Sequence, residues 1–242
     1  MSVNPLVSVV IPARNEARNL GPLLAEILAA LAKSSFEVIV VDDGSDDDTG
    51  AMIAATRAAG LPVRHLRHDR PLGQSASVRT GLLAAGGEIV VTLDGDGQND
   101  PAFIPRLIEM LEGGGANLGL VSGRRRRRTD AGIKRYASRF ANGLRQWVLK
   151  DGADDSACGL KAIRREVFLL LPFFDGQHRF MPALVKREGY EVAWLDIVDR
   201  RRRFGRSNYG IVDRGLRGLL DLFGVWWLKR RFRGRADANE RR

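Results

Sequence analysis

Apolar residues in the first half of the chain fall into short unbroken runs separated by stretches with helical spacing. Val7 to Ile11, Glu37 to Val41, Val63 to Leu66 and Glu88 to Leu93 are rich in Val and Ile and lack strict alternation. That is the pattern of parallel strands covered on both faces. Between them, Ala17 to Lys33, Asp47 to Gly60 and Gln74 to Ala85 are rich in Ala and Leu, with Ser45, Asp46 and Ser75 near helix starts and Gly60 and Gly86 near helix ends. The order reads βαβαβαβ. Right-handed crossovers turn it into an α/β, Rossmann-like, mostly parallel sheet flanked by helices, with functional loops at the carboxyl ends of the strands. A fifth strand is predicted over Leu118 to Ser122, helices from about Ile133 to Leu149 and from about Arg179 to Glu188, and a strand from Glu191 to Val198.

The pattern changes near the carboxyl end. From Tyr209 to Phe232 the apolar positions Leu216, Leu219, Leu220, Leu222, Phe223, Val225, Trp226, Trp227 and Leu228 are interrupted by Arg217 and Asp221, then followed by Lys229, Arg230, Arg231 and Arg233. This is too few apolar positions to cross roughly 30 Å of hydrocarbon. Two readings stand side by side. One is an interfacial amphipathic helix with Trp at headgroup depth and basic residues on anionic lipid. The other is a helix packing the same face on the domain or on a second subunit. The chain thus divides into a domain over 1–208, an amphipathic helix over 209–233 and a polar, charged tail over 234–242.

At 242 residues and 44% hydrophobic content the chain accommodates one α/β domain with a substantial core. Its lone Cys158 excludes an intrachain disulfide and a cysteine-cluster metal site, which makes the cytoplasm the expected compartment. The start, Met-Ser-Val-Asn-Pro, shows neither a basic n-region nor an apolar h-region, so no signal peptide is expected. The net charge of +10 is unevenly spread: residues 1–122 hold 9 Lys/Arg and 15 Asp/Glu, residues 123–242 hold 30 and 14. Such polarity suits a protein that holds a metal with one half and meets anions with the other, whether nucleic acid, lipid headgroups or phosphates.

The most informative segment is Thr92-Leu93-Asp94-Gly95-Asp96-Gly97-Gln98-Asn99-Asp100-Pro101. It follows a predicted buried strand, so Asp94 and Asp96 emerge at the sheet's carboxyl edge, with Gly95 and Gly97 permitting a tight path. Two carboxylates and the Gln98 amide oxygen are hard ligands suited to Mg²⁺ or Mn²⁺ bridging a diphosphate. An EF-hand loop also opens Asp-x-Asp, but its sixth position is Asn99 here and its twelfth Pro105. An acidic turn capping the helix near Pro101 is the plain structural alternative. A second acidic loop, Val41-Asp42-Asp43-Gly44-Ser45, ends the second predicted strand; it can hold a base or ribose, or serve as ordinary turn and cap chemistry. Ile11-Pro12-Ala13-Arg14-Asn15-Glu16 brings Arg14 and Glu16 to the same edge.

The ordered series IPARNE, VVDDGSDDDT, PLGQSASVRTGLLAAGGEIVVTLDGDGQNDP and DDSACGLKAIRRE resembles family 2 glycosyltransferases, in particular the polyprenyl-phosphate branch typified by dolichol-phosphate mannosyltransferase, over residues 7 to about 228. The resemblance implies a GT-A fold. It assigns Asp94, Asp96 and Gln98 to metal and donor diphosphate, and Pro12, Arg14, Glu16 and Asp43 to the nucleoside with Asp42 beside it. It further implies that Arg124 and Arg139 face lipid or donor phosphates and that Asp155 and Lys161 line the acceptor side; related sequences carry Arg where this chain has Lys161, which keeps the charge and loses bidentate geometry. His178-Arg179-Phe180 matches a segment near the acceptor, adding His178. Arg203-Phe204-Gly205-Arg206-Ser207-Asn208-Tyr209 resembles the family's basic G-x-S-x-Y loop, adding Arg203 and Arg206.

A hydroxyl acceptor normally needs a general base, whereas a phosphate is already anionic and needs cations to hold it. The basic second half supplies cations, and there is no Gln-x-x-Arg-Trp segment of the kind that polysaccharide-making members carry. The expected partners are therefore a GDP- or UDP-linked hexose, an undecaprenyl or dolichyl phosphate and the anionic cytoplasmic face of a membrane, with a membrane-protein partner or a second copy of the chain left open. A family 2 enzyme acting on a hydroxyl is the first alternative. A nucleic-acid binder using Arg124 to Arg128 is the second, disfavoured because no aromatic stacking platform accompanies the run.

Overall fold

The computed structural model describes residues 7–125, 143, 145–153, 155, 158–202, 204 and 211–234, with the backbone alone for 211–217. Its strands are β1 (Val7–Ala13), β2 (Phe36–Asp42), β3 (Val63–Arg67), β4 (Ile89–Thr92), β5 (Leu118–Arg125), β6 (Lys161–Arg164) and β7 (Glu191–Ile197). The helices are α1 (Ala17–Ala30), α2 (Thr49–Ala58), α3 (Gln74–Ala84), α4 (Ile104–Gly113), α5 (Arg165–Leu169), α6 (Met181–Arg187) and α7 (Ile211–Arg231). One seven-stranded sheet runs in the order β3-β2-β1-β4-β6-β5-β7. Every pairing is parallel except those of β6, which runs antiparallel to both β4 and β5.

The first four strands match the apolar runs because each is covered on both faces. Val9, Ile11, Val38, Val40 and Val91 point into one core layer with α1, α2 and α4. Val10, Ile39, Val41 and Val90 point into the other, with α3, α5, α6 and α7. The first layer is built from helical spacing: Leu20, Leu23, Leu24 and Ile27 of α1, and Ile104, Leu107, Ile108 and Leu111 of α4, are buried at i, i+3, i+4 and i+7. Each such side chain contributes about 1.5–3 kcal/mol by leaving water. Asp100 opens the α4 region, its side chain accepting from Ala102 N at 2.9 Å with Pro101 at the start of the turn.

β6 and α5 depart from the sequence reading, which placed no element between Ser122 and Arg179 other than the helix ending at Leu149. Of that helix, residues 145–149 are described and helical. β6 is only Lys-Ala-Ile-Arg. Its register sets Lys161 opposite both Thr92, the last residue of β4, and Ser122 in the second half of β5. The carboxyl-terminal helix begins at Ile211, and its Leu222 and Val225 are buried in the second core layer beside Leu184 and Val185 of α6. Leu219, Leu220, Phe223 and Trp227 on the same helix are more than half exposed. Among the described residues no helix is long and apolar enough to cross a membrane.

Candidate active site

The loops after β1 and β2 are stitched together before any ligand is considered. Asp43 N donates to Ala13 O at 2.8 Å and Asn15 N to Ser45 Oγ at 3.0 Å. Asn15 itself adopts a left-handed φ of 58°, a conformation asparagine tolerates. Asp42 is fully buried and turned into the protein: its side chain accepts from Ser45 N at 2.8 Å and pairs with Arg67 at 2.5 Å. Burial alone would raise its carboxyl, but Ser45 and the Arg67 charge outweigh that and hold it low. Asp43 is the member of the pair that reaches the cavity. It accepts from Leu72 N at 2.8 Å and Gly73 N at 2.9 Å, and His68 Nδ1 stands 2.8 Å from its Oδ1. These donors overcome burial and keep it below the ordinary carboxylate range.

β4 delivers the next acidic groups to the same edge. Gln74 Nε2, from the first turn of α3, donates to Asp94 Oδ1 at 2.7 Å, and Gln98 N donates to Asp96 Oδ1 at 3.0 Å. Gly159 lies against the Asp94 carboxyl so closely that a Cβ there would stand 2.5–2.6 Å from its atoms. Burial first, and the Asp96 charge second, lift Asp94 to about 6 against the pull of Lys161 and Arg125. Glu16 is raised as well, chiefly by burial and partly by Asp96, while Asn19 and Arg202 oppose the shift. Anions are thus crowded into a poorly solvated rim.

Cations face them. Arg125 is gripped by Asp155, through Nε at 2.5 Å and Nη2 at 2.8 Å, and by Asp199 through Nη1 at 3.1 Å. Burial opposes its charge, but the hydrogen bonds and charges of these two carboxylates keep it firmly protonated. Lys161 is almost wholly enclosed, donates to Cys158 O, and is lowered by burial. Arg202 sits 2.5 Å from Glu16 Oε1 and 3.9 Å from Asp96 Oδ2. His178 Nδ1 is 2.6 Å from Ser75 Oγ. Arg125, Lys161, Arg202 and His178, with Glu16, Asp43, Asp94 and Asp96, line a cavity of about 580 Å³, within the range of small-molecule sites.

Of the residues singled out from sequence, the structure brings Pro12, Arg14, Glu16, Asp43, Asp94, Asp96, Gln98, Lys161 and His178 to this cavity. It does not bring Asp42, for the reason above, or Asp155, which acts on the cavity through Arg125. Arg124 also points elsewhere, its Nε donating to Asp196 of β7 at 2.8 Å. Arg139, Arg203 and Arg206 lie outside the described residues. The cavity adds Gln74, Arg125, Arg179 and Arg202, none of which the sequence reading assigned.

The donor chemistry of the rim fits a hard divalent cation. Asp94 and Asp96 offer carboxylate oxygens whose mutual repulsion such an ion would relieve. Among the described residues no group of three or more His, Cys, Asp or Glu converges on one point. Asp94 and Asp96, with Gln98 beside them, are the residues that would hold the ion.

The sequence model described as Glycosyl transferase family 2 matches residues 8–170. The chain is 32% identical over 209 residues to an undecaprenyl-phosphate 4-deoxy-4-formamido-L-arabinose transferase of Sodalis glossinidius, covering 85% of this chain and 63% of that protein. It is 32% identical over 231 residues to a dodecaprenyl-phosphate galacturonate synthase of Rhizobium johnstonii, covering 93% and 67%. The chain thus spans about two thirds of the length of these curated relatives. Its fold is that of Mycobacterium tuberculosis glucosyl-3-phosphoglycerate synthase, with a TM-score of 0.68 at 23% identity over 93% of this chain and 80% of that one. A crystal structure of the same synthase with Mn²⁺, UDP-glucose and glycerol 3-phosphate gives 0.68 at 22%, covering 93% and 80%.

Proposed function

Since the chain belongs to glycosyl transferase family 2, we propose that it moves a hexose from a nucleoside-diphosphate donor, GDP- or UDP-linked, to the phosphate of a polyprenyl lipid. The observation that carries this reading is the two-signed cavity, lined by Asp43, Glu16, Asp94 and Asp96 and by Arg125, Lys161, Arg179 and Arg202. Relatives sharing about a third of the sequence are transferases named for undecaprenyl and dodecaprenyl phosphate.

Placement around the cavity supports the following roles. Pro12, Arg14, Glu16 and Asp43 take the nucleoside, and Asp43 is held for it by His68 and two backbone N–H groups. Asp94 and Asp96, with Gln98 beside them, hold Mg²⁺ or Mn²⁺, which when bound supplies positive charge to the departing diphosphate. Arg202, already between Glu16 and Asp96, adds charge at the same place. Arg125 and Lys161 hold the acceptor phosphate, whose oxygen attacks the anomeric carbon from the face opposite the leaving group. One C–O bond forms, the other breaks with its electron pair leaving on the diphosphate, and the configuration inverts. The phosphate arrives ionised, so no general base is required. Preorganised cations do the work by positioning and charge stabilisation.

α7 supports a lipid surface as the place of reaction. Leu219, Leu220, Phe223 and Trp227 are exposed on it, and Arg231 lies over the Trp227 ring at 5.8 Å. Lys229, Arg230 and Arg231 close its last turn. An apolar face ending in Trp and basic residues complements the headgroup zone of an anionic leaflet.

The test is to incubate purified protein with Mg²⁺ or Mn²⁺, undecaprenyl phosphate and a panel of GDP- and UDP-sugars, and to weigh the lipid product. Addition of one sugar residue to the lipid phosphate is expected. Donor consumption indifferent to the lipid, with sugar appearing on a hydroxyl acceptor, overturns the reading.

A further inference from the structure

Resting on the reading of Arg125 and Lys161 as the acceptor-phosphate site, we propose that Asp221 of α7 is a positioning residue that holds Arg179 toward that phosphate. Arg179 lines the cavity, and its Nη2 donates to Asp221 Oδ2 at 2.8 Å. Asp221 is not itself a cavity residue.

The backbone is shaped around this pair. Gly176 adopts a φ of +91°, and a Cβ there would stand 2.7 Å from Asp221 Oδ2 and 2.9 Å from Arg179 Nη2. A side chain at 176 would be strained by the backbone and would push the two charges apart. Gly176 N donates to Ser75 Oγ at 2.9 Å, and Ser75 Oγ contacts His178 Nδ1. The turn that carries His178 and Arg179 is thereby pinned to the start of α3, one residue from the Gln74 that holds Asp94. Asp221 stands on an equally fixed support, because Leu222 and Val225 are buried in the core.

With Nη2 committed to a fixed carboxylate the Arg179 guanidinium has a set rotamer, and since its Nε is buried without a partner among the described residues, Nη1 is the group left to meet an anion. Partly exposed ion pairs add little to stability. Loss of Asp221 is therefore expected to show in what Arg179 binds and not in folding. Asp221 belongs to the helix whose opposite side carries Leu220 and Phe223, so one element serves both the outer apolar face and a cavity cation.

The experiment compares wild type, Asp221→Asn, Asp221→Glu, Arg179→Gln and the Asp221→Asn/Arg179→Gln double variant, with undecaprenyl phosphate in detergent micelles. Asp221→Asn is expected to raise KM for the lipid phosphate about tenfold, with donor KM and melting temperature unchanged. Asp221→Glu is expected to be intermediate. In the Arg179→Gln background, Asp221→Asn is expected to add nothing, since its effect runs through that guanidinium. An unchanged lipid KM, additive effects in the double variant, or an equal loss of donor and lipid affinity with a fall in melting temperature overturns the proposal. No lipid product from wild type removes the proposed function and this inference together; normal wild-type product with additive variants removes only the inference.

Discussion

Asp94→Asn is expected to make the protein more stable at pH 8 in EDTA while abolishing turnover. The carboxyl of Asp94 is lifted from 3.8 to about 6 by its surroundings and by Asp96. A folded-state value above the unfolded one means the folded chain binds that proton more tightly. The associated stability is then fully present below about 3.8 and is lost as pH rises through about 6. The complete loss corresponds to about 3 kcal/mol, which water in the open cavity screens to about 2. By pH 5 roughly half of the penalty has disappeared. Asparagine keeps an oxygen to accept from Gln74 and carries no charge at any pH, so it escapes the penalty. For a chain of this length the gain at pH 8 amounts to about 4–8 °C in Tm. Melting curves of both proteins from pH 5 to pH 8, with EDTA and then with Mn²⁺, provide the assay. The gap is expected to narrow toward pH 5, and Mn²⁺ is expected to raise Tm for wild type alone. A variant less stable than wild type at pH 8, or a gap independent of pH, refutes the reasoning.

Gly159→Ala places a methyl against the Asp94 carboxyl; turnover is expected to fall about 100-fold by misplacement of that group, and Mn²⁺ titration to show weaker binding, while Gly113→Ala, which meets open space, changes neither. Replacing Leu220, Phe223 and Trp227 together with Glu is expected to weaken sedimentation with anionic vesicles at least ~10-fold with little change in Tm, because these side chains are 68%, 64% and 51% exposed. Undiminished vesicle binding argues against α7 as the lipid-facing element. Deleting α7 is a poorer test, since it would strip Leu222 and Val225 from the core.

The sheet's first half was legible because doubly covered parallel strands leave unbroken Val and Ile runs, and α1 leaves a clean apolar stripe. β6 was not, since four residues with a charge at each end carry no period; its place between β4 and β5 is decided by tertiary pairing. Asp94, Asp96 and Asp43 could be read because they follow strands directly. The cations were harder for a reason of parity. Arg124 and Arg125 are neighbours in a run of five arginines, and side chains on a strand alternate faces. Composition cannot say which one turns inward; the pairing of Arg124 with Asp196 on β7 decides it. Arg179 and Arg202 reach the cavity from segments more than 80 residues beyond the acidic loops, a proximity that only the closed fold creates. The same parity separates Asp42 from Asp43.

The reversed direction of β6 has a consequence for how this scaffold could diversify. Parallel strands hand their last residues to the rim, so the loops leaving them shape it. β6 hands over its first residue, Lys161, and Cys158 and Gly159 just before it line the cavity with it. The residues at the entry to β6 can therefore reshape one wall of the chamber while the βαβ frame that carries Asp43 and Asp94 stays in place, provided that position 159, which lies against the Asp94 carboxyl, remains glycine. Exchanging the residues at the entry to β6 between relatives, with Gly159 kept, is a direct route to a new preference on that wall.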